Sequence, residues 1–137
     1  SKGLPDSDTQ VWLGDSMGEM VAYYACAEFA FIGGSLLPLG GQNLIEAAAC
    51  NCPVLIGPHT FNFLQATKDA IAAGAARRVT NDEDLLATAN ALLNDQAAMQ
   101  AMRQASRDFA TANQGATERT LQLLLALTAP APDQAKH

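Results

Sequence analysis

Four short runs of apolar residues recur along the chain, and a glycine, proline or polar turn follows each of them. They begin at Val11 ("VWLG"), Phe29 ("FAFIGG"), Pro53 ("PVLIGP") and Ala75 ("AARRVT"). The runs do not alternate with polar residues, and helix-length segments separate them, which is typical of parallel strands buried on both faces. The pattern therefore predicts an α/β fold, with a Rossmann-like parallel sheet of about four strands and flanking helices.

Helices are predicted in the segments that separate these runs. We place four of them, over residues 18–27, 43–50, 62–73 and 82–93. The last begins within "TNDEDL", and acidic side chains in a first helical turn interact favourably with the positive end of the helix dipole. Strands and helices therefore alternate along the chain, as they do in a parallel α/β sheet.

Two longer amphipathic helices are predicted at the end of the chain, within "DQAAMQAMRQASRDFATA" and "ATERTLQLLLAL". In each, the residues of one face recur every three or four positions, so that face is predicted to pack onto a core. These residues are Met99, Met102, Ser106 and Phe109 in the first helix, and Leu121, Leu124 and Leu125 in the second. We assign no cofactor role to either face.

The composition fits a folded domain and argues against two classes of partner. The chain has 137 residues, of which 49% are hydrophobic and 16% charged, and its formal net charge is −6. An acidic chain offers no broad positive field to a nucleic-acid backbone or an anionic bilayer. Nucleic acid is therefore not a predicted partner. No run approaches the roughly 18 consecutive apolar residues of a membrane span.

The small number of predicted strands bears on domain organisation. Four strands make a thin sheet for a doubly wound fold, so residues 1–128 are predicted to be part of a larger nucleotide-binding domain. The proline- and alanine-rich end, residues 129–137, is predicted to be a flexible tail.

The three cysteines, Cys26, Cys50 and Cys52, lie in apolar sequence and indicate reduced thiols. No metal site is predicted, because C-x-C with a distant histidine does not supply a tetrahedral ligand set.

The stretch "GGSLLPLGGQNLIEAA", residues 33–48, places two glycine pairs between a predicted strand and a predicted helix. Glycines let a ligand approach the backbone, and the first N–H groups of the helix favour an anion. The residues alone leave two interpretations open. Asn43 and Glu46 could form a helix cap. Alternatively, Asn43 lies at a phosphate, and the two carboxylate oxygens of Glu46 accept hydrogen bonds from a ribose.

Two neighbouring turns lie at the same predicted edge of the sheet. "GDSMGEM" follows the first apolar run, and "GPHTFNF" follows the third, where it brings His59 and Asn62 near the glycine turns. Ligands bind beyond the carboxyl ends of the strands in open parallel sheets. His59 and Asn62 are therefore further candidate site residues, although a histidine in a turn can equally be structural.

The residues in these turns resemble a known family. "LGDSMGEM", "FAFIGGSLLPLGGQNLIEAAACNCPVLIGPHTFNF" and the later "NQGA" are similar, in this order and over nearly the whole chain, to the Kdo transferases. These are glycosyltransferases of the GT-B fold. The resemblance implies the donor-binding carboxyl-terminal half of an enzyme that transfers 3-deoxy-D-manno-octulosonic acid (Kdo) from CMP-Kdo to a lipid A precursor. It places this step of lipopolysaccharide synthesis at the cytoplasmic face of the bacterial inner membrane.

The resemblance also implies which residues meet the donor. They come from the three glycine-containing turns and from the helix after the second. The CMP phosphate would lie at the turn of Gly40, Gly41, Gln42 and Asn43, and the ribose at Glu46. The cytidine or the sugar would lie near Met17, Gly18 and Glu19. Ser35 would lie where the glycine-rich loop faces the cleft between the two halves of the enzyme.

The residue at position 42 departs from the family pattern, and the resemblance places the catalytic base outside this chain. The family usually has histidine where this chain has Gln42, so a proton-transfer role for that histidine cannot be transferred to this chain. The resemblance assigns the general base, the acceptor contacts and the membrane contacts to the amino-terminal half. We therefore expect no catalytic base in this chain, no activity from the chain alone, and no cofactor or metal.

Two alternatives remain at this point. A different GT-B transferase, or an epimerase that uses a UDP-sugar, would share the glycine turn and the ribose-binding acid, but we would not expect it to share "GPHTFNF". In the other alternative, the glycine turns of a non-catalytic α/β module are structural and its last helices dock a partner. The last helix of GT-B enzymes often packs back on the other half, so exposed Leu121, Leu124 and Leu125 would favour an intramolecular partner over a foreign one, although either case gives an apolar patch.

Overall fold

The computed structural model describes residues 5–15 and 17–128, with an alternation of short strands and helices. From α2 onward, each α-helix is longer than the one before it. In chain order the elements are α1 (Met20–Cys26), β1 (Ala30–Phe31), α2 (Ile45–Ala49), β2 (Val54–Ile56), a single 3₁₀ turn (Phe61–Phe63), α3 (Leu64–Ala72), β3 (Ala76–Arg78), α4 (Asp82–Asn94) and α5 (Gln96–Thr128).

The sheet has the order β1-β2-β3, and both strand pairs are parallel. Ala30 pairs with Val54, and Val54 pairs with Ala76 on its other side. All three residues of the central strand β2 are buried, as expected for a strand covered on both faces. The predicted α/β class is confirmed. The sheet has three strands in the described part of the chain, where about four were predicted.

The strand predicted at Val11 is wrong. Residues 11–15 have no regular secondary structure, and the side chains of Val11 and Leu13 are 89% and 74% exposed. The ring of Trp12 instead contacts Tyr23 of α1 edge to face, with 5.9 Å between the ring centroids. An apolar run shows that a segment can be buried in a sheet, but it does not supply the neighbouring strand that must complete its hydrogen bonds.

Two apolar layers cover the two faces of the sheet. Val54 and Ile56 of β2 pack in one cluster with α2, α3 and Phe109 of α5. Leu55, which points to the opposite face, packs with Leu92 of α4 and with Met99 and Met102 of α5. Helix α5 therefore contributes to both layers. The predicted inward face of its first half is confirmed, because Met99, Met102, Ser106 and Phe109 are all buried.

The two longer helices that we predicted form one continuous helix, α5, over Gln96–Thr128. Residues 113–115, which lie between the two predicted segments and include Gly115, are helical as well. One glycine inside a helix costs only about 1 kcal/mol, which long helical segments on either side can tolerate. Leu121 is exposed. The side chains of Leu124 and Leu125, and the predicted tail 129–137, lie outside the described part of the structure.

Helix α4 begins with a reciprocal set of hydrogen bonds. The Asn81 side chain accepts a hydrogen bond from the backbone N–H of Asp84 at 2.8 Å. The Asp84 carboxylate in turn accepts from the backbone N–H of Thr80 at 2.8 Å and from its hydroxyl at 3.0 Å. These bonds favour the ionised carboxylate and lower the pKa of Asp84. The predicted acid-rich helix start is confirmed.

The three thiols differ in their surroundings, so we expect them to differ in reactivity. Cys26 is exposed and Cys52 is buried. Burial raises the pKa of Cys52 from 9.0 to about 11. A rise of this size lowers the thiolate fraction at neutral pH about a hundredfold. A disulfide reagent at pH 7 should therefore modify Cys26 rapidly and Cys52 only after urea unfolding, as followed by mass spectrometry. Equal labelling rates in the folded protein would contradict this packing.

Candidate functional site

A cleft opens between α1 and α2 at the carboxyl end of β1. Its volume is about 410 Å³. Each of the three elements contributes to its walls, and the end of the glycine-rich loop completes it. The lining residues are Met20 and Tyr24 from α1, Phe31, Ile32 and Gly33 from the end of β1, and Gln42, Asn43 and Glu46 from the start of α2. This is the edge of the sheet at which the sequence predicts a ligand.

Three of the predicted site residues, Gln42, Asn43 and Glu46, meet in this cleft. The Asn43 side-chain oxygen accepts a hydrogen bond from the backbone N–H of Ile45 at 3.0 Å, so Asn43 does cap the start of α2. Its amide Nδ2 takes no part in this bond. The Glu46 carboxylate is exposed, and within the described residues it makes no capping bond to Asn43. The cap therefore leaves this carboxylate available to a ligand.

Helix α2 is shorter than predicted, which changes how an anion could be held. It has five residues, from Ile45 to Ala49, whereas the sequence predicts a helix over residues 43–50. A helix this short has a small dipole, and the Asn43 side chain already occupies one of its first N–H groups. An anion at this edge would therefore depend on the glycine turn and on nearby side chains more than on the helix.

Tyr24 lies in the cleft and was not predicted from the sequence. It packs against the main core beside α2. Burial, and then the nearby Glu46 carboxylate, raise the pKa of the Tyr24 hydroxyl, which therefore stays protonated at neutral pH and can donate a hydrogen bond. The four-residue spacing of Met20 and Tyr24 puts them on one face of α1, and this spacing is the sequence signal that could have identified Tyr24.

The glycine turn has backbone conformations that favour glycine. Gly40 and Gly41 have φ values of 92° and 73°. The Gly41 N–H donates to the carbonyl of Gly34 at 3.1 Å, which closes the loop between the two glycine pairs. A side chain at Gly40 would collide with those of Phe61 and Asn62. Glycine is therefore required here both by the conformation and by the close approach of the loop that follows β2.

Ser35 lies beneath this turn and connects two strand ends. It is 0% exposed. Its hydroxyl donates to the carbonyl of Ile32 at 2.5 Å and accepts from the N–H of Gly57 at 2.8 Å. Its carbonyl accepts from the N–H of His59 at 2.9 Å. The resemblance implies that Ser35 lies where the glycine-rich loop faces the cleft between the two halves of the enzyme, but its hydroxyl is occupied inside the protein, so Ser35 supports the loops from below.

The other predicted site residues lie outside the cleft. Met17 is 98% exposed, and Gly18 is exposed beside it. Glu19 accepts a hydrogen bond from the Tyr23 hydroxyl at 3.0 Å. Asn62 braces the glycine turn: its backbone N–H donates to Gly40 at 3.3 Å and its side chain to Leu39 at 3.5 Å. His59, like Asn62, belongs to this bracing loop, and its carbonyl lies next to Gly41.

A cation that the sequence did not place at this edge lies at the end of β3. The Arg78 guanidinium donates from Nη1 to the carbonyl of Gly57 at 2.7 Å, and its Nη2 lies 3.5 Å from the hydroxyl of Thr60. From the sequence, Arg78 is only one of two adjacent arginines after a strand start. The long-range contact to the "GPHTFNF" turn has no local signal.

Within residues 5–15 and 17–128, no three His, Cys, Asp or Glu side chains come together as a metal site would require. No helix in the same part of the chain combines the length and the apolar character needed to cross a membrane.

Comparison with known proteins shows close relatives. The sequence is 52% identical over 122 residues to the 3-deoxy-D-manno-octulosonic acid transferase of Bordetella pertussis, and the alignment covers 89% of this chain. It is 39% identical over 122 residues to the protein of the same name from Haemophilus influenzae, with 88% of the chain covered. The chain belongs to the Kdo transferase family. It spans 28% and 29%, respectively, of the lengths of these two relatives. No family model matches the chain.

A solved structure supports the same relationship at the level of the fold. The crystal structure of the C-terminal CMP-Kdo binding domain of WaaA from Acinetobacter baumannii matches with a TM-score of 0.70 and 32% sequence identity. The match covers 74% of this chain and 53% of that domain. The predicted resemblance to the carboxyl-terminal half of a Kdo transferase is therefore confirmed. The Bordetella alignment covers so much of the chain that it includes the whole cleft between α1 and α2.

Proposed function

We propose that this chain is the donor-binding part of a glycosyltransferase that transfers Kdo from CMP-Kdo to a lipid A precursor. The observation that carries the proposal is the position of the cleft. Gln42, Asn43 and Glu46 line it, and they lie within a sequence that is 52% identical to a Kdo transferase. The Acinetobacter domain, which is similar in fold, is a CMP-Kdo binding domain.

The chemistry of the cleft supports a nucleotide as its occupant. A volume of about 410 Å³ is within the usual range for small-molecule sites. The exposed Glu46 carboxylate can accept hydrogen bonds from two ribose hydroxyls at once, and the Tyr24 hydroxyl can donate one. We assign the donor phosphate to the turn Gly40–Asn43, at its Gln42 and Asn43 end, because these two residues line the cleft whereas Gly40 and Gly41 are buried behind them.

In the proposed reaction, a hydroxyl of the acceptor attacks the anomeric carbon of Kdo. A new carbon–oxygen bond forms, the bond between that carbon and the CMP phosphate oxygen breaks, and the acceptor's proton passes to a general base. This chain binds and orients the donor. We assign the base and the acceptor contacts to the amino-terminal domain of the full-length enzyme, so the chain alone is expected to be inactive.

The remaining parts of the proposal concern surroundings and partners. We propose that the full-length enzyme acts in lipopolysaccharide synthesis at the cytoplasmic face of the bacterial inner membrane, through its amino-terminal domain. CMP-Kdo is its donor substrate, and neither a cofactor nor a metal is included in the proposed step. Nucleic acid is not proposed as a partner, in line with the net charge of −6.

A nucleotide titration tests the donor assignment. The full-length protein, labelled at glycine and asparagine nitrogen, is titrated with CMP, UMP and ADP while the amide resonances of Gly40, Gly41 and Asn43 are followed. We expect CMP to shift these resonances and to bind at least roughly tenfold more tightly than UMP or ADP, a difference of about 1.4 kcal/mol. The amide of Gly115, in the middle of α5, is the internal control and should not shift.

The other outcomes decide between the alternatives. Tighter binding of UMP would favour a transferase or epimerase that uses a UDP-sugar. If none of the three nucleotides shifts the turn, the glycines are structural and the non-catalytic module is favoured.

A further inference from the structure

The carboxyl ends of all three strands are joined by hydrogen bonds that run through two side chains. At β1, the Ile32 carbonyl accepts from the hydroxyl of Ser35, which accepts from the N–H of Gly57 after β2. The carbonyl of the same Gly57 accepts from Arg78 at the end of β3. Both polar groups of the Gly57 backbone are therefore held by side chains from the neighbouring strand ends. We call this set of bonds the strand-end clamp.

The loop held by the clamp supports the glycine turn. Past Gly57, the N–H of His59 donates to the Ser35 carbonyl, and the N–H of Asn62 donates to the Gly40 carbonyl. A side chain on Gly41 would contact the carbonyl of His59 and the Cα of Thr60, which shows how closely the two loops approach. A shift of the loop at Gly57–Thr60 must therefore be transmitted to Gly40 and Gly41.

Arg78 is suited to fix this loop. The side chain is half-buried, and both of its hydrogen-bonding partners belong to the loop: the Gly57 carbonyl and the Thr60 hydroxyl. Within residues 5–15 and 17–128, no carboxylate forms a salt bridge with this guanidinium. The planar guanidinium can hold two acceptors at once in a fixed geometry, which the single ammonium group of lysine does less rigidly.

We propose that Arg78 is a positioning residue for the glycine turn. It sets the position of Gly40 and Gly41 through the loop at Gly57–Thr60, without lining the cleft itself. The consequence for donor binding rests on the function proposed above. Small displacements of a group that positions a substrate can lower binding or rate strongly even when the altered residue is remote.

The neighbouring arginine provides a matched control. Arg77 lies in the same strand and is exposed. Arg77→Met and Arg78→Met remove the same charge and the same donors one residue apart, so a difference between them reports on the contacts of Arg78. Arg78→Lys keeps the charge and one donor toward Gly57, and we expect it to recover most of what Arg78→Met loses.

The first measurement needs no ligand. In the full-length protein, hydrogen exchange is compared at the amides of Gly41 and Asn62, which bond to Gly34 and Gly40, and at the amide of Val54, which bonds to Ala75 in the sheet. We expect Arg78→Met to speed exchange roughly fivefold or more at Gly41 and Asn62, with little change at Val54. Equal effects of Arg77→Met and Arg78→Met, or equal acceleration at Val54, would overturn the proposal. If Arg78→Met does not fold, Arg78→Gln against Arg77→Gln makes the same comparison, because glutamine removes the charge and cannot hold both loop acceptors as the guanidinium does.

The second measurement is the kinetics of transfer. Arg78→Met should raise the KM for CMP-Kdo roughly fivefold to tenfold while kcat changes less than about twofold, because binding to the turn is lost in ground and transition states alike. Arg77→Met should leave both unchanged. An unchanged KM, together with a lower melting temperature, would reduce Arg78 to a purely structural role. A wild-type enzyme that does not use CMP-Kdo would instead refute the proposed function, and the exchange data would still decide on Arg78.

Discussion

Replacing Glu46 with alanine in the full-length enzyme should lower Kdo transfer from CMP-Kdo by at least roughly tenfold, a loss of about 1.4 kcal/mol in transition-state binding. The carboxylate is exposed in the cleft and makes no capping bond to Asn43 in the described structure, so its removal should affect the ligand more than the fold. Transfer is measured with a discontinuous assay of Kdo incorporation. Asn43→Ala should reduce transfer to a similar extent, but it also removes the cap of α2.

A second nucleotide sharpens this test of Glu46. If the carboxylate binds both ribose hydroxyls, the wild-type enzyme should prefer CMP over 2′-deoxy-CMP, and Glu46→Ala should lose most of that preference. Glu118→Ala, an exposed acid on α5, is the matched control and should behave like the wild type. Full transfer activity in Glu46→Ala, or an unchanged preference for the ribose form, would contradict the assignment of this residue.

Substituting Gly57 with alanine should destabilise the domain by about 1–3 kcal/mol, the usual cost of overpacking a close contact. The new methyl group would collide with the backbone of Ser35 and Leu36. Backbone atoms cannot turn aside as a flexible side chain can, so the loop must move and the bond from the Gly57 N–H to the Ser35 hydroxyl is strained or lost. Urea denaturation of this chain, followed by circular dichroism, measures the change in the free energy of unfolding.

Gly33→Ala is the control for this prediction. No atom lies within 4 Å of the position that its methyl group would take, and its φ is not in the left-handed region. The substitution should change the free energy of unfolding by less than about 1 kcal/mol. If Gly57→Ala is as stable as Gly33→Ala, the close approach of the two loops in the structure is wrong. Since Gly33 lines the cleft, this control applies to stability and not to donor binding.

The order of elements could be predicted from the sequence, because buried parallel strands and amphipathic helices each have a local pattern. β1, β2 and β3 lie within the predicted runs, and helices form near all the predicted positions. The two errors concern information that is not local. Val11 lies in a run that looks like a strand, but a strand also needs a partner. Residues 113–115 separate two predicted helix segments, but the long segments on either side keep α5 continuous through them.

The candidate site was predictable only to the extent that it follows from consecutive residues. Gln42, Asn43 and Glu46 are close in sequence, and all three line the cleft. Arg78 contacts Gly57, which lies 21 residues before it, through the folded sheet. The resemblance placed Ser35 where the glycine-rich loop faces the cleft between the two halves, and no pattern in the sequence shows that its hydroxyl bonds internally to Ile32 and Gly57.

The strand-end clamp separates the framework of the site from its specificity. Apart from the Ser35, Thr60, Asn62 and Arg78 side chains, the atoms that join the loops are backbone carbonyl and N–H groups, which every amino acid other than proline provides. The exposed Gln42 side chain takes no part in these bonds. A different side chain at position 42 should therefore leave the turn that presents it unchanged.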